Sequence, residues 1–340
     1  MRNWIKGAAL GLAALMTPLM APLMTRSASA QELPTVSIGY FPDIWSGGTI
    51  AIAQEKGYFE EAGIQVDAQR FTSGAPAIAA LGSGNLNISY VGLGPMPQIM
   101  RGVAKIVGFD NVTYSDQVLV QADSGIEDIG GLEDRTVLAP RSSGSQILLY
   151  LALERAGLSP DDIEELGGSP ATIVSAMISK QAEAAALWSP FNAEIADKAG
   201  TRTLVSGRDF YPDYVWPGMW VANPDFVEEE EELLKRALWA LQKATDWRAE
   251  NREEAARIAA EAYDLSETSV ALAIENTEYF TAEDIANAFS DGTVDRWMAG
   301  VNEQLQLIGN LDEPIAPENF VVSAPYVDVQ QNGLPGGASQ

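Results

Sequence analysis

Two hydrophobic periods alternate along the first two thirds of the chain. Short β-branched or apolar runs at 35–40 (TVSIGY), 64–71, 88–91, 117–121 (QVLVQ), within 131–140, at 183–187 (EAAAL), 203–205 and 214–221 (YVWPGMWV) predict strands. Between them lie runs with helical spacing at 49–56, around Ala77, Ile78, Ala80 and Leu81, at 146–156, and at 170–181 through Ile173, Val174, Met177 and Ile178. Strand, small polar loop and helix recur in that order, which predicts an α/β sheet with ligands at the strand C-termini. After Asp225 the pattern turns helical, with helices predicted at 226–249, 252–262, 266–276 and 293–308. Residues 310–340 read as loop, with a Gly/Gln/Pro-rich end expected to fray.

The stretch 71–95 (FTSGAPAIAALGSGNLNISYVGLGP) concentrates candidate chemistry. Ser73-Gly74 stands before one apolar-periodic run, and Gly92-Leu93-Gly94-Pro95 opens a loop after a buried strand. Ser46 is a plausible cap for the helix that follows it, and Ser142, Ser143 and Ser145 repeat the arrangement before 146–156. Free N–H groups at helix starts form ready anion sites. Arg141 reads equally as a site charge or a surface cation.

Composition narrows the chemistry. There is no cysteine, which removes disulfides, thiolate metal sites, cysteine nucleophiles and a lipidated cysteine. There is no histidine either, which removes the commonest general base and the commonest transition-metal ligand. Neither a metal nor a cofactor is expected, and paired-carboxylate catalysis, with Asp43 and Asp116 as candidates, has no motif behind it. The chain begins with a basic segment, an apolar run from Ala8 to Leu23 and Ala28-Ser29-Ala30, so a signal peptide at 1–30 cleaved after Ala30 is expected. Export without lipidation suits a Gram-negative periplasm. Formal charge is −26, and removing Arg2, Lys6 and Arg26 takes the remainder to −29. So acidic a surface argues against nucleic acid and anionic membranes as partners.

Roughly 310 remaining residues suggest two lobes of about 150 each. A discontinuous arrangement is expected: lobe one at 31–118 plus 222–330, lobe two at 119–221, and a disordered tail at 331–340. The chain would cross near Val118-Leu119 and again near Trp220-Val221.

Three segments then carry a family resemblance: SIGYFPDIWSGGTIAIAQEKGYFEEAGIQV, FTSGAPAIAALGSGNLNISYVGLGP and GLEDRTVLAPRSSGSQILLYLALERAGL. Together they resemble the nitrate/sulfonate/taurine group of ABC-transporter solute-binding proteins, with a more distant likeness to pyrimidine-precursor binders. The resemblance implies a type II periplasmic binding fold, with two mixed sheets flanked by helices and a ligand cleft between lobes. It implies a monomeric, non-enzymatic protein that delivers a small organic anion, an alkyl sulfonate or taurine-like compound, to a membrane permease with a cytoplasmic ATPase. The pyrimidine-making enzymes of this wider group rely on histidine, which this chain lacks.

Carried over by position, the anion-binding parts are Trp45, Ser46 and Gly47; Ser73, Gly74 and Ala75; Gly92, Leu93 and Gly94; and Ser142 and Ser143. Taurine binders carry an acid just before the tryptophan of the return crossing, and Gly218-Met219-Trp220 here has none. Asp43 or Asp213 would be the acid available to an amine. The aromatic residues Phe41, Trp45, Tyr90, Trp188, Trp216 and Trp220 fall on loops and strand ends, as core packing or as walls for an apolar or cationic body. A heteroaromatic ligand such as a pyrimidine is the alternative on the same scaffold.

Overall fold

The computed structural model describes residues 33–336. The expected signal peptide with its cleavage site, and the last four residues of the expected tail, lie outside the described residues.

Eleven strands are described: β1 (Thr35–Tyr40), β2 (Gln65–Arg70), β3 (Ile88–Val91), β4 (Lys105–Thr113), β5 (Gln117–Gln121), β6 (Thr136–Ala139), β7 (Glu164–Gly167), β8 (Ala184–Leu187), β9 (Thr201–Ser206), β10 (Pro217–Ala222) and β11 (Thr277–Tyr279). They form two mixed sheets, in the orders β11-β4-β10-β3-β1-β2 and β7-β6-β8-β5-β9. β1 runs parallel to β2 and β3, while β10 is antiparallel to β3 and β4. In the second sheet β6 is parallel to β7 and β8, and β5 is antiparallel to β8 and β9. The innermost strands β3, β8 and β10 are buried along their whole length, which explains their largely apolar character.

Several elements depart from the sequence pattern. β4 interrupts its apolar run with Gly108, Asp110 and Asn111, so its alternation is weak, yet it sits between β10 and β11. Its Asp110 is fully buried because Arg248, from the Glu231–Glu250 helix, donates to Oδ2 at 2.9 Å and to the Asp110 carbonyl at 3.0 Å. The segment 214–221, expected to close the second lobe, instead supplies β10 to the first sheet. The sheets are therefore joined by 114–116 and 207–216, and the expected crossing points at Val118-Leu119 and Trp220-Val221 fall inside strands β5 and β10. The expected loop after 310 contains a helix, Ala324–Asn332, whose Tyr326 is buried against Gly108 and Phe289. Just before it, Val321 bridges to Ile106 at the start of β4.

The parallel strands aim their carboxyl ends at one region. Phe41 follows β1, Gly92 follows β3, Arg141-Ser142 follows β6, and Trp188 follows β8. Both inter-sheet connections pass the same place, so loops from each sheet converge on a cleft.

Candidate ligand-binding cleft

A cavity of about 70 Å³ lies where these loops meet. From the first sheet it is lined by Phe41, Asp43, Trp45, Gly74, Tyr90 and Gly92-Leu93-Gly94-Pro95. From the second come Ser142-Ser143-Gly144 and Trp188. Thr113, Ser115, Asp116, Trp216, Pro217 and Gly218 complete it from the connections and the strand ends beside them. Across the mouth the two sides touch: a Cβ at Gly94 would overlap the Ser142 carbonyl, so this loop closes only with glycine there. Ser142 adopts a left-handed backbone (φ 53°), and its N–H donates to Gln146 Oε1 at 2.8 Å.

Asp43 is one of the residues lining the cavity. Its Oδ1 accepts from the Trp45 and Gly47 backbone N–H groups, both at 3.1 Å, and from Ser46 Oγ at 3.2 Å. The carboxylate thus occupies the start of the Ser46–Glu55 helix, where the free N–H groups of a vacant anion site would be. Burial, which disfavours the charged form, pushes its pKa up to about 7 against those hydrogen bonds, and the nearby Asp110 adds to the rise. Tyr90 O–H donates to Asn111 Oδ1 at 3.1 Å, and a side chain at Gly218 would displace this pair. The Tyr90 ring stands edge-on to Phe41, with centroids 5.4 Å apart.

Asp116 stands on the first connection. Ser145 Oγ donates to its Oδ1 at 2.5 Å, and burial pushes its pKa up to about 6. The second-sheet helix Gly144–Arg155 begins here, with Ser143 Oγ accepting from Gln146 N at 3.1 Å as its cap. Trp216 Nε1 donates to the Gly144 carbonyl at 3.2 Å, fixing the indole against that helix start. Beside Asp116, Ser115 Oγ is buried and has no hydrogen-bond partner among the described residues.

Of the residues expected at the site, Phe41, Asp43, Trp45, Gly74, Tyr90, Gly92, Leu93, Gly94, Ser142, Ser143, Trp188 and Trp216 line the cavity. Ser46 and Gly47 are buried behind it: Ser46 Oγ accepts from Phe41 N–H at 3.0 Å, and Gly47 packs under Tyr263. The helix cap position belongs to Trp45, one residue before the expected Ser46. Ser73 and Arg141 line a separate outer groove with Thr72, Pro76 and Gly167 to Pro170, while Ala75 is exposed on its helix. Trp220 points away into the core, edge-on to Tyr90 with centroids 5.6 Å apart. Asp213 is exposed. Sequence reasoning missed Thr113, Ser115, Pro95, Gly144, Pro217 and Gly218, and it weighed Asp116 only as a catalytic acid. The signal available for the 113–116 group was a polar TYSD run between two apolar strands.

Two mixed α/β sheets, linked by two connections and enclosing a cavity at their facing strand ends, define the fold of the periplasmic solute-binding proteins. Solved structures share it: the alkanesulfonate-binding protein SsuA of Xanthomonas axonopodis bound to MOPS (TM-score 0.70, 18% identity, 86% of this chain and 100% of that one). The nitrate-binding protein NrtA of Synechocystis aligns likewise (TM-score 0.70, 16% identity, 91% and 93%). A desulfurization enzyme, DSZB, shares the fold at TM-score 0.62 and 15% identity over 88% of this chain and 99% of that one, so the fold alone does not decide for or against catalysis. The chain belongs to the NMT1/THI5-like family, whose profile matches residues 48–255. A Brucella abortus protein described only as a binding protein is 32% identical over 87% of this chain and 92% of its own length. An aliphatic sulfonates-binding protein of Bacillus subtilis is 30% identical over 74% and 76%, and the taurine-binding periplasmic protein of Escherichia coli 28% over 54% and 58%.

Proposed function

We propose that this protein captures a small organic solute in the periplasm and hands it to an ABC permease driven by a cytoplasmic ATPase. The observation that carries the reading is the cavity between the sheets, across whose mouth Gly94 and Ser142 approach each other. The two sheets with their helices act as lobes, a monomer closes by bending at 114–116 and 207–216, and no chemical step follows. An alkyl sulfonate or taurine-like head is seated at Gly74 and at Ser142-Ser143. These are the starts of two helices of nine and twelve residues, and Ser73 makes no side-chain cap bond at the first. Relatives that bind aliphatic sulfonates and taurine support this head group.

Calorimetric titration of the purified protein with alkyl sulfonates and taurine tests it, with micromolar or tighter binding expected. Only millimolar binding across that panel would overturn the head-group assignment. A heteroaromatic such as a pyrimidine is the second reading. Five aromatic rings on the cavity wall favour it, and it predicts tryptophan quenching by the heterocycle with little response to sulfonates.

A further inference from the structure

We infer that the solute carries a positively charged nitrogen, held by Asp43 and Asp116 and faced by the aromatic walls of the same cavity. This rests on the reading of the cavity as a solute site and adds the charge of the solute to it.

Each of the two carboxylates bonds the protein through Oδ1 alone. Oδ2 of each has no hydrogen-bond partner among the described residues, although both aspartates are at least nine-tenths buried. The third buried acid nearby, Asp110, shows the contrast, because Arg248 neutralises it. Among the described residues no lysine or arginine lines the cavity. The lysines and arginines stacked on aromatic rings sit over Tyr58, Tyr114, Phe210, Trp239, Trp247 and Tyr279, none of which faces it. Ser115 Oγ, on a residue of the same wall, is likewise buried without a hydrogen-bond partner among the described residues. Buried carboxylates without a counter-charge are costly, and a cation entering the cavity removes that cost. Ring faces attract the same cation, most strongly when water is excluded.

A metal ion does not suit the place. Hard cations take six or more oxygen ligands, and no group of three or more acidic or histidine side chains among the described residues is placed to hold one. An anion at the Asp43 end is equally unsuited, since that carboxylate already fills the helix start. A sulfonate at Gly74 and a cationic nitrogen at the aspartates are compatible and together describe a zwitterion, whereas the Gly144 helix start lies beside Asp116 Oδ1 and so belongs to the nitrogen end.

Matched pairs separate the nitrogen from the head group. Titrations of taurine against isethionate, which exchanges the amine for a hydroxyl, are expected to favour taurine by at least tenfold. That preference should vanish in Asp43→Asn/Asp116→Asn, whose amides keep the Oδ1 acceptors. A second arm uses tetramethylammonium, read by tryptophan fluorescence. A saturable response is expected in the wild type and a loss of it in each single variant, with circular dichroism verifying the fold. If a variant does not fold, the wild-type arms decide alone. Equal binding of taurine and isethionate would overturn the inference and leave the sulfonate reading standing. A tetramethylammonium response without any sulfonate binding would uphold the charged nitrogen and remove the sulfonate head. No wild-type response to taurine or tetramethylammonium would overturn the charged nitrogen.

Discussion

Asp43 shows how a single residue ties stability to the site. Its folded pKa of about 7 lies above the ordinary 3.8, so the native state holds this proton more tightly than the unfolded chain does. That contribution is complete below about pH 4 and is lost as pH rises through about 7. The groups that face it are Asp110 of β4 with its partner Arg248, Tyr90 of β3, and Tyr263 from the helix Arg252–Tyr263. Asp43→Asn, which cannot ionise, should therefore gain stability over the wild type, and gain more at pH 8 than at pH 5. Urea unfolding at the two values should show a difference on the order of a few kcal/mol; an unchanged gap would mean that Asp43 does not titrate in this range. From sequence the same residue was read as an acid available to an amine. That its Oδ1 caps the helix while Oδ2 stays unpartnered depends on the backbone path of 41–47, which no local pattern encodes.

At the scale of elements, the loop after β3 and the helix start after β6 make the lid contact. Gly94→Val places a branched side chain against the Ser142 carbonyl and the Ser143 backbone. Calorimetry should show affinity for any cleft ligand falling by ten- to a hundredfold, with the urea midpoint of the ligand-free protein nearly unchanged. A variant that binds as tightly as the wild type would show that closure does not need this approach. The C-terminal helix Ala324–Asn332 predicts differently. Tyr326 packs on Gly108 of β4, and Gln242 Nε2 donates to its carbonyl at 2.9 Å. Tyr326→Ala should cost about 3 kcal/mol in urea unfolding; a loss under ~1 kcal/mol would place this helix outside the cooperative core. That helix was read as loop because APYVDVQQN shows no apolar stripe of its own. Its stability comes from the groove it enters.

For the whole molecule, a formal charge of −26 on 340 residues, or −29 without the first thirty, implies strong self-repulsion. The melting temperature should rise by several degrees between about 0.02 and 0.5 M sodium chloride, as screening shortens the range of that repulsion from tens of ångströms to a few. A flat salt response would indicate that the acids are spaced or paired well enough to cancel. Among the described residues, no helix is long and apolar enough to cross a membrane.

The strand and helix order from 35 to 222 was largely legible because period-two runs and small polar loops are local signals, and most of the cleft followed from where those loops fall. The small polar loops at Ser73-Gly74, Gly92–Gly94 and Ser142-Ser143 were carried over from the family resemblance, and the aromatic walls were named from their places on loops and strand ends. Two things required the folded chain. β10 joins the first sheet because β3 and β4 present unpaired edges that only a return crossing can fill. Asp116 and Ser115 face the cavity because that crossing and the first one pass side by side. The sequence determined that the chain offers backbone dipoles and no basic catalytic group of the histidine or cysteine kind. Tertiary structure alone decided that two carboxylates lie buried there without a counter-charge, since their desolvation and their missing partners exist only after distant segments have packed.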